Sequence, residues 1–273
     1  MKKVIVIIVV LALSVMTLVS CGVPFMPKPG KTAAQQATVN TAGETVQAKP
    51  GKNDKPGVPV GKLEAWESYE IFQERKSDLV TTAMERMGEH EDLAFQMFRL
   101  MSVLSIDFVM LPAALMGQEE VNVVNAMRMM GTDVKYSKTG NSYVVEWLDK
   151  EGQGYKFETT YDPAKDGMSS VVNLGVEGKD TIYYDYIRTS YGYFAKIITN
   201  NDSEGGFPAL ALISIDANGG VIGMSTEKVQ HAPLKGNESR DLPKSLPQWY
   251  EVDGKTFSAL TAEGESYTYQ LEP

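Results

Sequence analysis

Cysteine is almost absent from this 273-residue chain, and Cys21 is the only one. No intrachain disulfide can form, so any folded domain must be stabilised by its own core. Histidine is nearly as scarce, with only His90 and His231. Neither stands in an H-E-x-x-H spacing, which removes that class of zinc site. The phosphate-cradling patterns G-x-x-x-x-G-K-[ST] and G-x-G-x-x-G are missing, and so is the nucleophile elbow G-x-S-x-G. No motif implies a cofactor. Positive charge is also short where it would matter. From Leu63 to Pro273 there are 18 Lys and Arg against 33 Asp and Glu. A net charge of −15 over that stretch argues against nucleic acid, which requires a basic face.

What is present begins at the N-terminus. Lys2 and Lys3 precede an apolar run from Val4 to Val19, broken only by Ser14 and Thr17. A short positive region followed by an apolar stretch of this length reads as a secretory signal rather than a membrane span. The run closes on Leu18-Val19-Ser20-Cys21. This resembles the lipobox of bacterial lipoprotein precursors: an aliphatic residue, two tolerant positions with the second small, then cysteine. The resemblance covers the first 21 residues. It implies cleavage between Ser20 and Cys21 and a diacylglyceryl group on the Cys21 thiol. It also implies an extracytoplasmic protein held to the cell membrane. In a two-membrane cell, Gly22, which is not Asp, is compatible with sorting to the outer membrane. Each buried methylene contributes about 0.8 kcal/mol, and two or more acyl chains convert marginal binding into stable anchoring.

Residues 21–62 read as a disordered tether. Pro, Gly, Ala, Thr, Gln and Lys dominate, and apolar periodicity is absent. As a flexible coil this segment would reach about 35 Å. It carries six Lys against Glu44 and Asp54, a net of +4. A basic tether is drawn to an anionic leaflet, and the acidic domain beyond it is repelled.

Residues 63–273 suffice for one sizeable core. Leu63, Trp66, Tyr69, Phe72, Leu79, Ala83, Met84 and Met87 recur at helical spacing, and Gly88 marks a stop. A second apolar run extends from Leu93 to Met116. Arg99 and Asp107 within it argue against a membrane helix, and Pro112 splits it. A third helix is expected from Gln118-Glu119-Glu120 to Met130, stopping at Gly131. Beyond about residue 132 the period changes to two: Tyr143, Val145 and Trp147, then Tyr155, Phe157, Thr159 and Tyr161. Turn signals recur at short intervals and predict about ten strands, mostly sequential neighbours, each with one buried face. Asp253-Gly254 is expected as a two-residue hairpin loop. Gln230–Leu246 breaks the rhythm and reads as a long surface loop with His231 exposed. The fold class is therefore α+β, with helices over about 63–131 packed on a large curved antiparallel sheet. That outline is similar to the half-barrel of periplasmic lipoprotein carriers, in architecture alone.

Chemistry is sparse. His90, in Gly88-Glu89-His90-Glu91-Asp92, reads either as a weak divalent-metal site or as a solvated acidic turn, and the turn is favoured. Asp216-Ala217-Asn218-Gly219-Gly220 is similar to a calcium loop, but it lacks the remaining oxygen ligands and reads as a hairpin turn. Nine of the 14 methionines lie between Met84 and Met130, and nine of the 13 tyrosines between Tyr136 and Tyr193. Consecutive Tyr183 and Tyr184 put phenols on both sheet faces, so a row pointing away from the core is expected. The leading expectation is a non-catalytic, lipid-anchored binding or scaffold protein that engages a protein, glycan or apolar ligand. The alternatives are a carrier of lipid or another apolar ligand between helices and sheet, and an envelope hydrolase using carboxylates.

Overall fold

The computed structural model describes residues 63–175, 180–200 and 208–270. They form an α+β architecture: a helical segment followed by one open antiparallel sheet of 11 strands, all in sequence order. No helix among the described residues is long and apolar enough to cross a membrane.

Helix α1 spans Ala65–Gly88. Its start is closed by a capping box in which the backbone N–H of Glu64 donates to the Glu67 carboxylate at 2.9 Å. Its buried stripe runs Ala65, Ser68, Tyr69, Phe72, Lys76, Leu79, Val80, Ala83 and Met87. A 3₁₀ segment, Glu91–Gln96, leads into α2, Met97–Val109. Pro112 sits at the start of a second 3₁₀ segment, Leu111–Leu115, where its missing N–H costs no helical bond. Helix α3 spans Glu120–Met127. A 24-residue helix is about 36 Å long, enough to cross roughly seven strand spacings. The contacts of α1 agree. Trp66 of α1 and Tyr143 of the sheet both approach Gly117, Phe72 lies over Tyr184, Tyr186 and Tyr193, and Leu79 reaches Gly220.

The strands are β1 Thr132–Thr139, β2 Ser142–Leu148, β3 Gly154–Asp162, β4 Gly167–Leu174, β5 Asp180–Arg188 and β6 Tyr193–Asn200. They continue as β7 Leu210–Ile215, β8 Gly219–Ser225, β9 Gln248–Asp253, β10 Thr256–Leu260 and β11 Ser266–Gln270. Register fixes the faces. Tyr184 pairs with Ser170 and Ile197, and Tyr186 with Met168 and Ala195, so these residues share the helix-facing side. The β9–β10 loop differs by one residue from the sequence expectation. Asp253 pairs with Thr256, leaving Gly254 and Lys255 as the loop, with Gly254 at φ 56°.

The expectation of one buried face holds for β2 and β3 and fails for the middle of the sheet. Strand β2 alternates between buried and half-buried, whereas every residue of β7 is buried. The cause is the segment between β8 and β9. Its Val229, Leu234 and Leu246 pack on Ile187, Phe194, Ile198, Leu210 and Leu212, on the side away from the helices. The long loop is therefore a strap that gives the central strands a second core.

Candidate functional site

The polar chemistry of the described residues gathers in two places, one on each face of the sheet. The first is a seam beneath α1. Lys76 is fully buried, and its ammonium donates to the Asp107 carboxylate of α2 and, at 2.9 Å, to the Tyr184 hydroxyl of β5. The Gln73 amide donates to the hydroxyls of Tyr69 at 2.6 Å and Tyr184 at 3.0 Å. Asp107 is 28% exposed, so the pair joins a sealed cation to an anion that still meets water. Burial lowers the Lys76 pKa, and Asp107 opposes that shift. Burial, with the charge of Asp107 adding to it, pushes the Tyr69 and Tyr184 hydroxyls well above the ordinary phenol range.

About two helical turns before Lys76 the seam continues through Ser68. Its hydroxyl donates to Asp166 at 2.5 Å and lies 2.8 Å from the Tyr186 hydroxyl. Asp166, in the β3–β4 turn, also accepts from Tyr193 at 3.0 Å and Tyr161 at 3.4 Å, and lies 3.4 Å from the Arg188 guanidinium. Burial raises the Tyr161 pKa to about 12 and pushes Tyr193 higher, with Asp166 adding to both. Between these two clusters Phe72 stacks on Tyr186 with centroids 4.3 Å apart.

The second place is the clasp of the strap. His231 Nε2 lies 2.7 Å from Asp185, whose other oxygen accepts from the Ser169 hydroxyl at 2.6 Å. The imidazole stacks on Tyr183 at 4.5 Å, and the Lys196 ammonium donates to the Ala232 carbonyl. Burial lowers the Lys196 pKa, with Asp185 opposing. Ser, His and Asp meet here in an order that cannot activate the serine. The serine hydroxyl donates to the carboxylate rather than to the imidazole, so the imidazole is not placed to take its proton. At the far end of the strap Arg240 bridges Asp216 and Glu251, and Lys244 reaches Glu251 at 2.9 Å.

These arrangements correct three expectations. His231 is not exposed. Its side chain is 21% accessible and is tied to an Asp185 that is 3% accessible. The tyrosine row does not point away from the core. Tyr143, Tyr155, Tyr161, Tyr184, Tyr186 and Tyr193 share the helix-facing side, and in β5 Tyr183 faces the other way, under His231. The Gln230–Leu246 segment is a cover rather than a free surface loop. His90 stacks on Tyr269 at 3.5 Å, beside Tyr267 on edge strand β11. Asp216 accepts from the Asn218 N–H at 2.7 Å within the β7–β8 turn and from Arg240, so its carboxylate is spent on turn and strap. Among the described residues no group of three potential ligands could hold a metal ion. The lipidation residue Cys21, its cleavage partner Ser20, and the signal and tether segments 1–20 and 21–62 lie outside the described residues.

Sequence reasoning missed Ser68 and Lys76, though a signal for Lys76 was present. The apolar ladder of α1 skips from Phe72 to Leu79, leaving one rung empty, and Lys76 occupies it. Ser68, Asp166 and Asp185 carried no local signal, because their partners lie on distant strands.

No protein-family model, no curated protein and no solved structure matches the chain.

Proposed function

We propose that the chain is a lipid-anchored, extracytoplasmic binding or scaffold protein of the bacterial envelope, and that it is not an enzyme. One observation carries the non-catalytic part. The groups with chemical potential, Lys76, Asp166 and the Asp185–His231 pair, are each committed to holding α1 or the strap on the sheet. Buried networks of this kind favour one packing arrangement over competitors, and their removal leaves unpaired charge. The shifts that carboxylates do show run against general-acid chemistry. The backbone N–H of Gln153, chief among several donors, holds Asp149 below the usual carboxylate range. For Asp241, burial works upward and is outweighed by Lys244 and Arg240. A catalytic acid needs the opposite direction.

The carrier reading, with a half-barrel-like sheet curved around an apolar ligand, has less support. Ring-on-ring contact between Phe72 and Tyr186 fills the centre of the layer that an acyl chain would need. The location rests on Leu18-Val19-Ser20-Cys21. Growth of expressing cells on labelled palmitate is expected to label the wild-type protein and not the Cys21→Ala variant. Label retained by Cys21→Ala would overturn the anchored reading.

A further inference from the structure

Helix α2 is apolar on its outer side as well as its inner one. At 100° per residue, Phe98, Met101, Ser102, Ser105, Phe108 and Val109 fall within an arc of about 120°. The buried residues Leu100, Val103 and Ile106 occupy the opposite side. Phe98 is 58% exposed and Phe108 54%. The two charges of α2 are both turned away from this arc. Arg99 donates to Gln248 at 2.7 Å and reaches Glu263, while Asp107 receives Lys76. The two serines on the arc are also satisfied from within. Ser102 donates to the Arg99 carbonyl at 2.5 Å and Ser105 to the Met101 carbonyl at 2.8 Å. A serine that bonds back into its own helix has spent its only donor, which is the form it takes in apolar surroundings. Val121 and Met129, in and just after the neighbouring helix α3, are exposed by 58% and 59%.

We propose that this face of α2 docks in the plane of the lipid surface to which the chain is tethered. The inference rests on the anchored reading and deepens it. Two features select lipid over a protein partner. Protein interfaces carry about one hydrogen bond per 100–200 Å², and this arc offers no charge and no uncommitted side-chain donor. The tether ends at residue 62, close to the start of α1, so an anchored chain keeps the helical layer near the leaflet at high effective concentration. At 13 residues α2 is about 20 Å long, too short to span a bilayer and suited to lying in its interface. The basic tether offsets, at the leaflet, the repulsion of the acidic domain.

Depth measurement on the full mature chain tests this. Because Cys21 is acylated, a nitroxide attaches only to an introduced cysteine, Ser105→Cys on the arc or Thr160→Cys on the far face of β3. The lipidated protein is placed on protein-free vesicles of phosphatidylethanolamine and phosphatidylglycerol. The ratio of oxygen to nickel-chelate collisions is expected to be several-fold higher at position 105 than at 160. Adding Phe98→Glu and Phe108→Glu, with the fold checked by circular dichroism, should bring position 105 to the value at 160. A lipidated chain with equal ratios at both positions overturns the docking and leaves the anchor standing. A chain found without lipid on Cys21 overturns the anchor instead. The same labels on that unlipidated chain, with Cys21→Ser added so that only the introduced thiol reacts and with vesicles in excess, then decide the docking: depth at position 105 sustains it, and water-like values overturn it.

Discussion

The seam beneath α1 makes phenols, rather than carboxylates, the groups whose ionisation governs stability at high pH. Burial pushes Tyr69, Tyr184 and Tyr186 well above the ordinary value, and it carries Tyr161 and Tyr250 to about 12. In the unfolded chain each phenol loses its proton near pH 10. Between that pH and the folded value the native state holds more protons, so stability falls as pH rises. The contribution is complete below pH about 10 and is lost progressively through pH about 12 and beyond, at up to about 1.4 kcal/mol per pH unit for each fully mismatched phenol. Lys76 acts in the opposite sense. Its lowered pKa makes the unfolded chain the better proton acceptor, so its share of stability rises toward pH about 10.4. Urea unfolding from pH 8 to 12 is expected to show a steep loss above 10, steeper in wild type than in Tyr184→Phe. A profile unchanged by that substitution would contradict the sealed network.

At the scale of elements, much of α1 and the strands was legible and the strap was not. Three-to-four spacing and the stop at Gly88 place α1, and the change to period two places the sheet, because both patterns report burial against immediate neighbours. A strap is a tertiary event. Gln230–Leu246 has the Pro, Gly and Asn of a surface loop, and only the two-sided apolar run Leu210–Ile215 hinted that something must cover it. The tyrosine row misled for a related reason. Alternation says that Tyr183 and Tyr184 face opposite ways but not which side holds the helices. The strap's seat depends on Gly223, where a Cβ would stand 2.2 Å from the Pro243 carbonyl oxygen. Gly223→Ala is therefore expected to lift the 3₁₀ turn Leu242–Ser245 and cost about 1–3 kcal/mol, the usual range for overpacking. Urea denaturation would show a lower midpoint, and hydrogen exchange would speed up in the strap. Wild-type exchange across 240–246 in this variant would show that the strap is not seated there.

For the whole molecule, the sheet is layered unevenly, and that fixes where it opens first. Strands β5 to β8 lie between the helices and the strap, and in β7 no side chain is exposed. At the two edges the layering thins out. β1 is half-buried at only two positions, and β11 alternates between exposed and half-buried residues. Local opening requires surrendering only the contacts an element makes, so its free energy ranges from near zero at poorly packed edges to the global value in a two-sided core. Each edge strand is also held by one ladder, β1 to β2 and β11 to β10. Their paired amides should therefore exchange by local fraying, while those of β7 exchange only when the whole domain unfolds. Native-state exchange followed by mass spectrometry in rising urea separates the two. The rates of β7 should track the global unfolding equilibrium from low denaturant upward, and those of β1 and β11 should stay nearly independent of it. If β11 proves as protected as β7, something other than β10 covers that edge, and the ordering of stability across the sheet is wrong.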